Sequence, residues 1–158
     1  MTVKTRDARA QASAAPESGE AAAYRLEDQV GFLVRRVHQR ATGIFSAVMA
    51  DFDITPTQFA VLAKLDDLGA VSQNELGRLA AMDPATTWGV VSRLIKRNLV
   101  TQSPDPGDAR LVILGLSAEG GALARAMKRR GAEVSRATLE GLSTKEAETL
   151  LALLRRLV

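Results

Sequence analysis

A mainly α fold carrying one small β-hairpin is what this sequence predicts, and three observations carry that reading. Apolar residues recur at three-and-four spacing over most of the chain after Leu26. Helix-capping signals punctuate those stretches at regular intervals. A single cluster of turn formers separates two short β-prone runs. The 158 residues suit one domain with a real core. Aromatic content of 4% requires that core to be aliphatic and alanine-rich.

The first helix carries Val30, Leu33, Val37, Ala41, Ile44 and Val48 as one seam. A second row, Val34, His38, Ala41 and Phe45, lies beside it, so this helix is expected to touch more than one neighbour. Thr55-Pro56-Thr57-Gln58 then combines a cap, a proline suited to the first helical position and a capping-box glutamine. The helix it opens buries Phe59, Leu62 and Leu65 or Leu68 and ends at Gly69. Ser72-Gln73-Asn74-Glu75 repeats the box and starts a short helix with Leu76, Leu79 and Ala80. Asp83-Pro84 opens the next, with Thr87, Val90, Val91 and Leu94 inward. Two short helices across so tight a turn form a helix-turn-helix candidate.

Leu99-Val100-Thr101 and Leu111-Val112-Ile113-Leu114 are β-prone, and Ser103-Pro104-Asp105-Pro106-Gly107-Asp108 between them is dense in turn formers. A hairpin placed directly after a helix-turn-helix is a wing. Ser117 opens a helix with Leu123, Met127, Gly131 and Val134, and the box Ser143-Thr144-Lys145-Glu146 opens a last one with Ala147, Leu150, Leu151, Leu154 and Leu157. The terminal helices are too apolar to stand free, which predicts a helical layer buried against a second copy of the chain. The expected organisation is a tail over 1–22, dimerisation helices over 23–50 and 117–158, and a winged helix-turn-helix lobe over 54–116.

Composition excludes much. The chain has no cysteine, which removes disulfides, thiolate metal sites and thiol catalysis. One histidine, no phosphate-cradling glycine loop and no metal-spaced ligand cluster argue against an enzyme and against a cofactor. No apolar run spans a membrane and the opening residues lack a secretory signal, so a cytoplasmic location is expected. The net charge of +3 permits an acidic partner without requiring one.

In the segments TPTQFAVLAKL, SQNELGRLAAMDPATTWGVVSRLIKRNLV and DPGDARLVILGLSAEG, the chain resembles the MarR family of bacterial transcription regulators. The last segment includes the family's wing pattern, here Asp108-Ala109-Arg110. The opening LEDQVGFLVRRVHQRATGIF and TPTQFAVL look most like regulators of nicotinate degradation, which respond to a hydroxylated pyridine carboxylate. The resemblance implies a winged helix-turn-helix homodimer that represses transcription from a palindromic double-stranded operator.

On that basis the second helix of the pair enters the major groove and the wing tip the adjacent minor groove. Pro84, Ala85, Thr86, Trp88, Gly89, Ser92 and Arg93 would face outward, with thymine methyls as natural partners for Ala85 and Thr86. Trp88 either packs on bases and sugars or folds back onto the helix pair, and Arg93 either reads a base or pairs with Asp108. Many relatives carry a polar residue and then arginine near Trp88 and Gly89, so a guanine contact from that stretch is not expected here. Arg110 is either a minor-groove contact or a solvated hairpin residue. Ser72, Gln73 and Asn74 are either phosphate-binding or plain capping residues. Arg78, Lys96 and Arg97 supply phosphate attraction or simply a soluble face. The tail is passive or a basic arm. For the effector, Phe32, Arg35, His38, Gln39, Arg40, Thr42, Phe45, Phe59 and Met82 are the candidates for a pocket holding a small aromatic carboxylate. His38 is alternatively a satisfied, half-buried histidine. The rival to the whole reading is a winged-helix adaptor that binds protein.

Overall fold

The computed structural model describes residues 24–108 and 111–158. Six α-helices and a three-stranded sheet follow in the order α1 (Val30–Val48), α2 (Pro56–Leu68), β1 (Val71–Ser72), α3 (Gln73–Leu79), α4 (Pro84–Lys96), β2 (Val100–Pro104), β3 (Val112–Leu116), α5 (Ala118–Thr138) and α6 (Thr144–Arg155). Short 3-10 turns at Leu26–Asp28 and Ala50–Phe52 flank α1.

The caps stand where the sequence puts them. Thr55 accepts from the Gln58 amide while the Gln58 side chain accepts from the Thr55 amide, a complete box with Pro56 in the first turn. Ser143 and Glu146 do the same for α6, and Ser117 Oγ accepts from the Gly120 amide at the start of α5. Ser72 departs from the expectation. Its hydroxyl accepts from the Glu75 amide, but the Glu75 carboxylate does not return the bond and instead lies 3.6 Å from Arg78. Glu75 and Arg78 stand one turn apart on the exposed side of α3, and that pairing wins.

The sheet is larger than the hairpin expected from the sequence. Strand order is β1-β3-β2, all antiparallel, with Val100 opposite Leu116 and Pro104 opposite Val112. Two residues of β1 pair with the other edge of β3, Val71 with Leu114 and Ser72 with Ile113. That bond roots the wing to the start of α3, so wing and helix-turn-helix share one frame.

One continuous core runs from Phe45 and Met49 through Val61, Leu62 and Leu65, then Leu76, Val90, Val91 and Leu94, to Leu114, Ala124 and Met127. Helix α5 therefore belongs to the same core as the winged lobe and does not start a separate one. Gly120 shows how tightly it docks: a Cβ there would stand 1.9 Å from the Leu99 carbonyl oxygen, a backbone atom that cannot yield. No helix among the described residues is long and apolar enough to cross a membrane.

Two surfaces remain apolar and uncovered in the single chain. Val30, Leu33, Val34 and Val37 are exposed on the first half of α1. Helix α6 buries none of its residues and exposes Leu151, Leu153 and Leu154, with Leu157 just beyond it.

Candidate nucleic-acid interface

The helix-turn-helix is held by contacts that only small residues permit. Gly77 on α3 is buried against Thr87 on α4, and a Cβ on it would come within 2.6 Å of Thr87 Oγ1. Thr87 in turn donates to the Asp83 carbonyl at 2.8 Å, which leaves its hydroxyl satisfied within the crossing. Ala81, in the turn itself, takes a left-handed conformation with φ 53°. Asp83 then starts α4: one carboxylate oxygen accepts from the Thr86 amide at 2.9 Å and the other from the Thr86 hydroxyl at 2.6 Å. The Thr86 hydroxyl, followed by its amide, holds the Asp83 carboxyl below the usual aspartate range, so the cap persists well into acid.

Thr87, Val90, Val91 and Leu94 are buried and Ile95 packs against the core, so the opposite side of α4 faces out. Pro84, Ala85, Thr86, Trp88, Arg93 and Lys96 are exposed, and Gly89 and Ser92 are half-exposed. Trp88 is 64% exposed, which decides against its folding back onto the helix pair. Arg93 lies along the same face, its guanidinium nitrogens 3.6 and 3.9 Å from where a Cβ on Gly89 would stand.

Beside α4, Ser72, Gln73, Asn74, Leu111 and Val112 line a small cleft of about 180 Å³ between the start of α3 and the wing. The wing turn is built on Asp105, whose carboxylate accepts from the Gly107 amide at 2.7 Å and the Asp108 amide at 3.0 Å. Ala109 and Arg110 fall outside the described residues, as does the tail reading over 1–22. Of the three phosphate candidates, Arg78 is paired with Glu75 and Lys96 is exposed on α4. Arg97, still exposed, reaches across the surface to the α1–α2 connection. It donates to the Asp53 carbonyl at 2.5 Å and lies 3.7 Å from the Asp53 carboxylate.

The candidate effector residues divide into groups. Phe45 and Phe59 meet at 5.8 Å between ring centroids, tilted by 41°, at the junction of α1 and α2. Phe45 is buried and Phe59 half-buried, with Thr42 half-buried and Gln39, His38 and Arg35 exposed farther up α1. The Arg35 guanidinium sits 5.7 Å from the Phe32 ring centroid. Arg40 and Met82 are placed elsewhere. Arg40 donates to the Ala137 carbonyl at 3.1 Å and lies 3.8 Å from Glu140, tying α1 to the end of α5. Met82 packs against the core and lines a cleft of about 280 Å³ with Gln73, Asn74, Gly77, Pro84 and Thr87. A larger cleft of about 690 Å³ lies between the end of α5 and α6, lined in part by Arg136, Leu139, Glu140, Ala147 and Leu151.

One polar cluster has no precedent in the sequence signals. Lys128 on α5 donates to Asp66 at 2.8 Å and to Asp67 at 2.5 Å on α2, with Arg125 3.4 Å from Asp66. The Lys128 hydrogen bond holds the Asp66 carboxyl down, and the hydrogen bonds to Asp66 and then Asp67 raise the Lys128 ammonium. The side chains come from segments about sixty residues apart, so no local spacing announces them. The charge alternation of α5 is the nearest available hint.

Against known proteins, the family model described as "MarR family" matches residues 54–112. The HTH-type transcriptional repressor NicR of Pseudomonas putida is 42% identical over 135 residues, covering 85% of this chain and 85% of NicR. A solved probable transcriptional regulator from Pseudomonas aeruginosa superposes with TM-score 0.80 at 44% identity, over 85% of this chain and all of that one. The Bordetella bronchiseptica regulator BpsR, solved to explain regulation of its DNA binding by 6-hydroxynicotinic acid, gives 0.81 at 37% identity, over 85% and 96%.

Proposed function

The chain belongs to the MarR family of transcriptional regulators, and from that premise we propose that it is a homodimeric repressor of a palindromic operator, released by a small aromatic carboxylate such as a hydroxylated nicotinate. Its relatives are regulators and not enzymes.

The observation that carries the DNA reading is the outer face of α4: a 64% exposed Trp88 among small residues, on a helix whose opposite face is locked into the core. A helix of this kind fits the major groove with its N-terminal residues at the base edges. Pro84, Ala85, Thr86, Trp88, Gly89, Ser92 and Arg93 form the reading face. Lys96 and the residues at the start of α3, Ser72, Gln73 and Asn74, position the phosphates. The wing, with Asp108 and Arg110, reaches the neighbouring minor groove.

A second copy is the occupant assigned to the apolar faces of α1 and α6. Two exposed apolar stripes on the terminal helices of one chain suit a self-complementary twofold interface. Such a dimer presents its two α4 helices about 34–36 Å apart, one turn of the duplex, and the operator is then palindromic. The effector site is assigned to the surface of α1 beside the Phe45–Phe59 pair. There Phe32 supplies aromatic surface, Arg35 a carboxylate partner, and His38, Gln39 and Thr42 polar orientation. The kinship to NicR, and to BpsR with its 6-hydroxynicotinic acid, supports this choice of chemical class.

The test is a fluorescence titration of Trp88, the one tryptophan, with a palindromic duplex from the upstream region of the protein's own gene. A scrambled duplex and a second salt concentration control for charge attraction. Saturable quenching specific to the palindrome, reversed by 6-hydroxynicotinate in the wild type and not in Arg35→Ala, is the expected result. Equal weak binding of every duplex, including genomic fragments, would leave the protein-binding adaptor.

A further inference from the structure

We infer that the outer face of α4 reads thymine through its C5 methyl, as apolar surface, in place of donating hydrogen bonds to guanine. This deepens the operator reading above and rests on it.

What each side chain has left to offer decides between the two bases. In the first turns of α4, where base edges are met, Pro84 and Ala85 carry no side-chain donor, and Gly89 carries no side chain. Two hydroxyls stand there and both are already committed: buried Thr87 donates to the Asp83 carbonyl at 2.8 Å, and exposed Thr86 donates to the Asp83 carboxylate at 2.6 Å. The same carboxylate accepts the Thr86 amide, so withdrawing the hydroxyl would disturb the cap that starts the helix. What exposed Thr86 presents to a groove is its methyl group. Trp88 adds the largest exposed apolar surface on the helix and a single N–H.

Multi-donor side chains come only later, at Arg93 and Lys96, beyond the point of deepest entry. Arg93 lies back along its own helix over Gly89. In the major groove, guanine shows acceptors that call for a donor, whereas thymine is the base that shows an apolar group. A surface of Ala85, the Thr86 methyl and the Trp88 indole is complementary to the second pattern and poor in what the first requires. The flanking cations attract phosphate whatever the sequence.

The experiment is selection of duplexes from a random library with the full-length protein, followed by affinity measurement on the enriched duplex and on the same duplex with half-site thymines replaced by deoxyuridine. Adenine pairing is retained and only the methyl groups are removed. The expected result is thymine in the enriched half-sites and a loss of about fourfold in affinity per contacted methyl, the worth of one buried methyl-sized group. Thr86→Ser keeps the hydroxyl bond to Asp83 but lacks the methyl, and it should lower the thymine-to-uridine ratio, as should Trp88→Ala. Thr86→Val lacks the hydroxyl but keeps the methyl, and it should keep the ratio whatever its overall affinity. Equal binding of both duplexes, or a ratio unmoved by Thr86→Ser and Trp88→Ala alike, overturns the inference while leaving the repressor reading intact. Enrichment of no duplex overturns the repressor reading itself.

Discussion

Gly89 stands in the middle of α4, where a glycine costs about 1 kcal/mol relative to alanine. Nothing in the fold demands it: its φ is not left-handed, and a Cβ would make only ordinary contact with Arg93 at 3.6 Å. The contrast with Gly77 and Gly120 is sharp, since a Cβ at either would collide with Thr87 Oγ1 or the Leu99 backbone. Those two glycines serve packing, whereas no packing contact requires Gly89, and the proposed operator reading gives it the role of letting DNA approach. Gly89→Ala is therefore expected to stabilise the chain, raising the melting temperature by roughly 2–4 °C. It should weaken operator binding by about tenfold or more, since the added methyl overpacks a close interface. Calorimetry and anisotropy on one preparation check both signs. A drop in melting temperature would show that Gly89 has a structural role after all.

Among the elements, α2 and α5 are joined by the Lys128 bridge to Asp66 and Asp67. The Asp66 carboxyl is held below its ordinary value of 3.8, so its contribution is present above that pH and is lost as pH falls through the lowered value. The Lys128 ammonium is raised above 10.5, so its contribution is present below that pH and is lost as pH rises beyond it. Lys128→Ala is expected to flatten both limbs of the stability–pH curve, acid below about pH 4 and alkaline above about pH 10.5. Urea midpoints across pH measure this. An unchanged acid limb in the variant would assign that limb to other carboxylates, such as the capping Asp83 and Glu146, which are also held low. Capping and packing thus draw on the same acid range, and only the variant separates them.

At the scale of the whole molecule, the apolar seams on α1 and α6 are uncovered in the single chain, and the proposed dimer would bury them. Val37→Glu combined with Leu154→Glu is expected to give a folded monomer of 16.9 kDa, with helical circular dichroism retained and operator affinity lost. Sedimentation at several concentrations reads the mass. A variant still dimeric would move the interface to another surface.

The amino-acid sequence alone determined most of what depends on neighbours within about four positions, the return bond of the Ser72–Glu75 box excepted. The caps at Thr55, Ser117 and Ser143, the helix-turn-helix, the outward set on α4 and the Asp105 wing turn all follow from local hydrogen bonding and 3.6-residue periodicity, whose partners lie in the same stretch of chain. Tertiary structure alone decided contacts between distant segments. These are the β1–β3 pairing at Val71 and Ser72, the turning of Arg97 to Asp53 and of Arg40 to Ala137, the Lys128 bridge, and the close approach at Gly77 and Gly120. A two-residue strand has too few residues to show a period, and a long cation carries no sign of which distant carbonyl it will meet. Such contacts arise only once the core has brought the helices together, which is why Arg97 reads in the sequence as a phosphate contact or a soluble face and stands in the fold as a tether to Asp53.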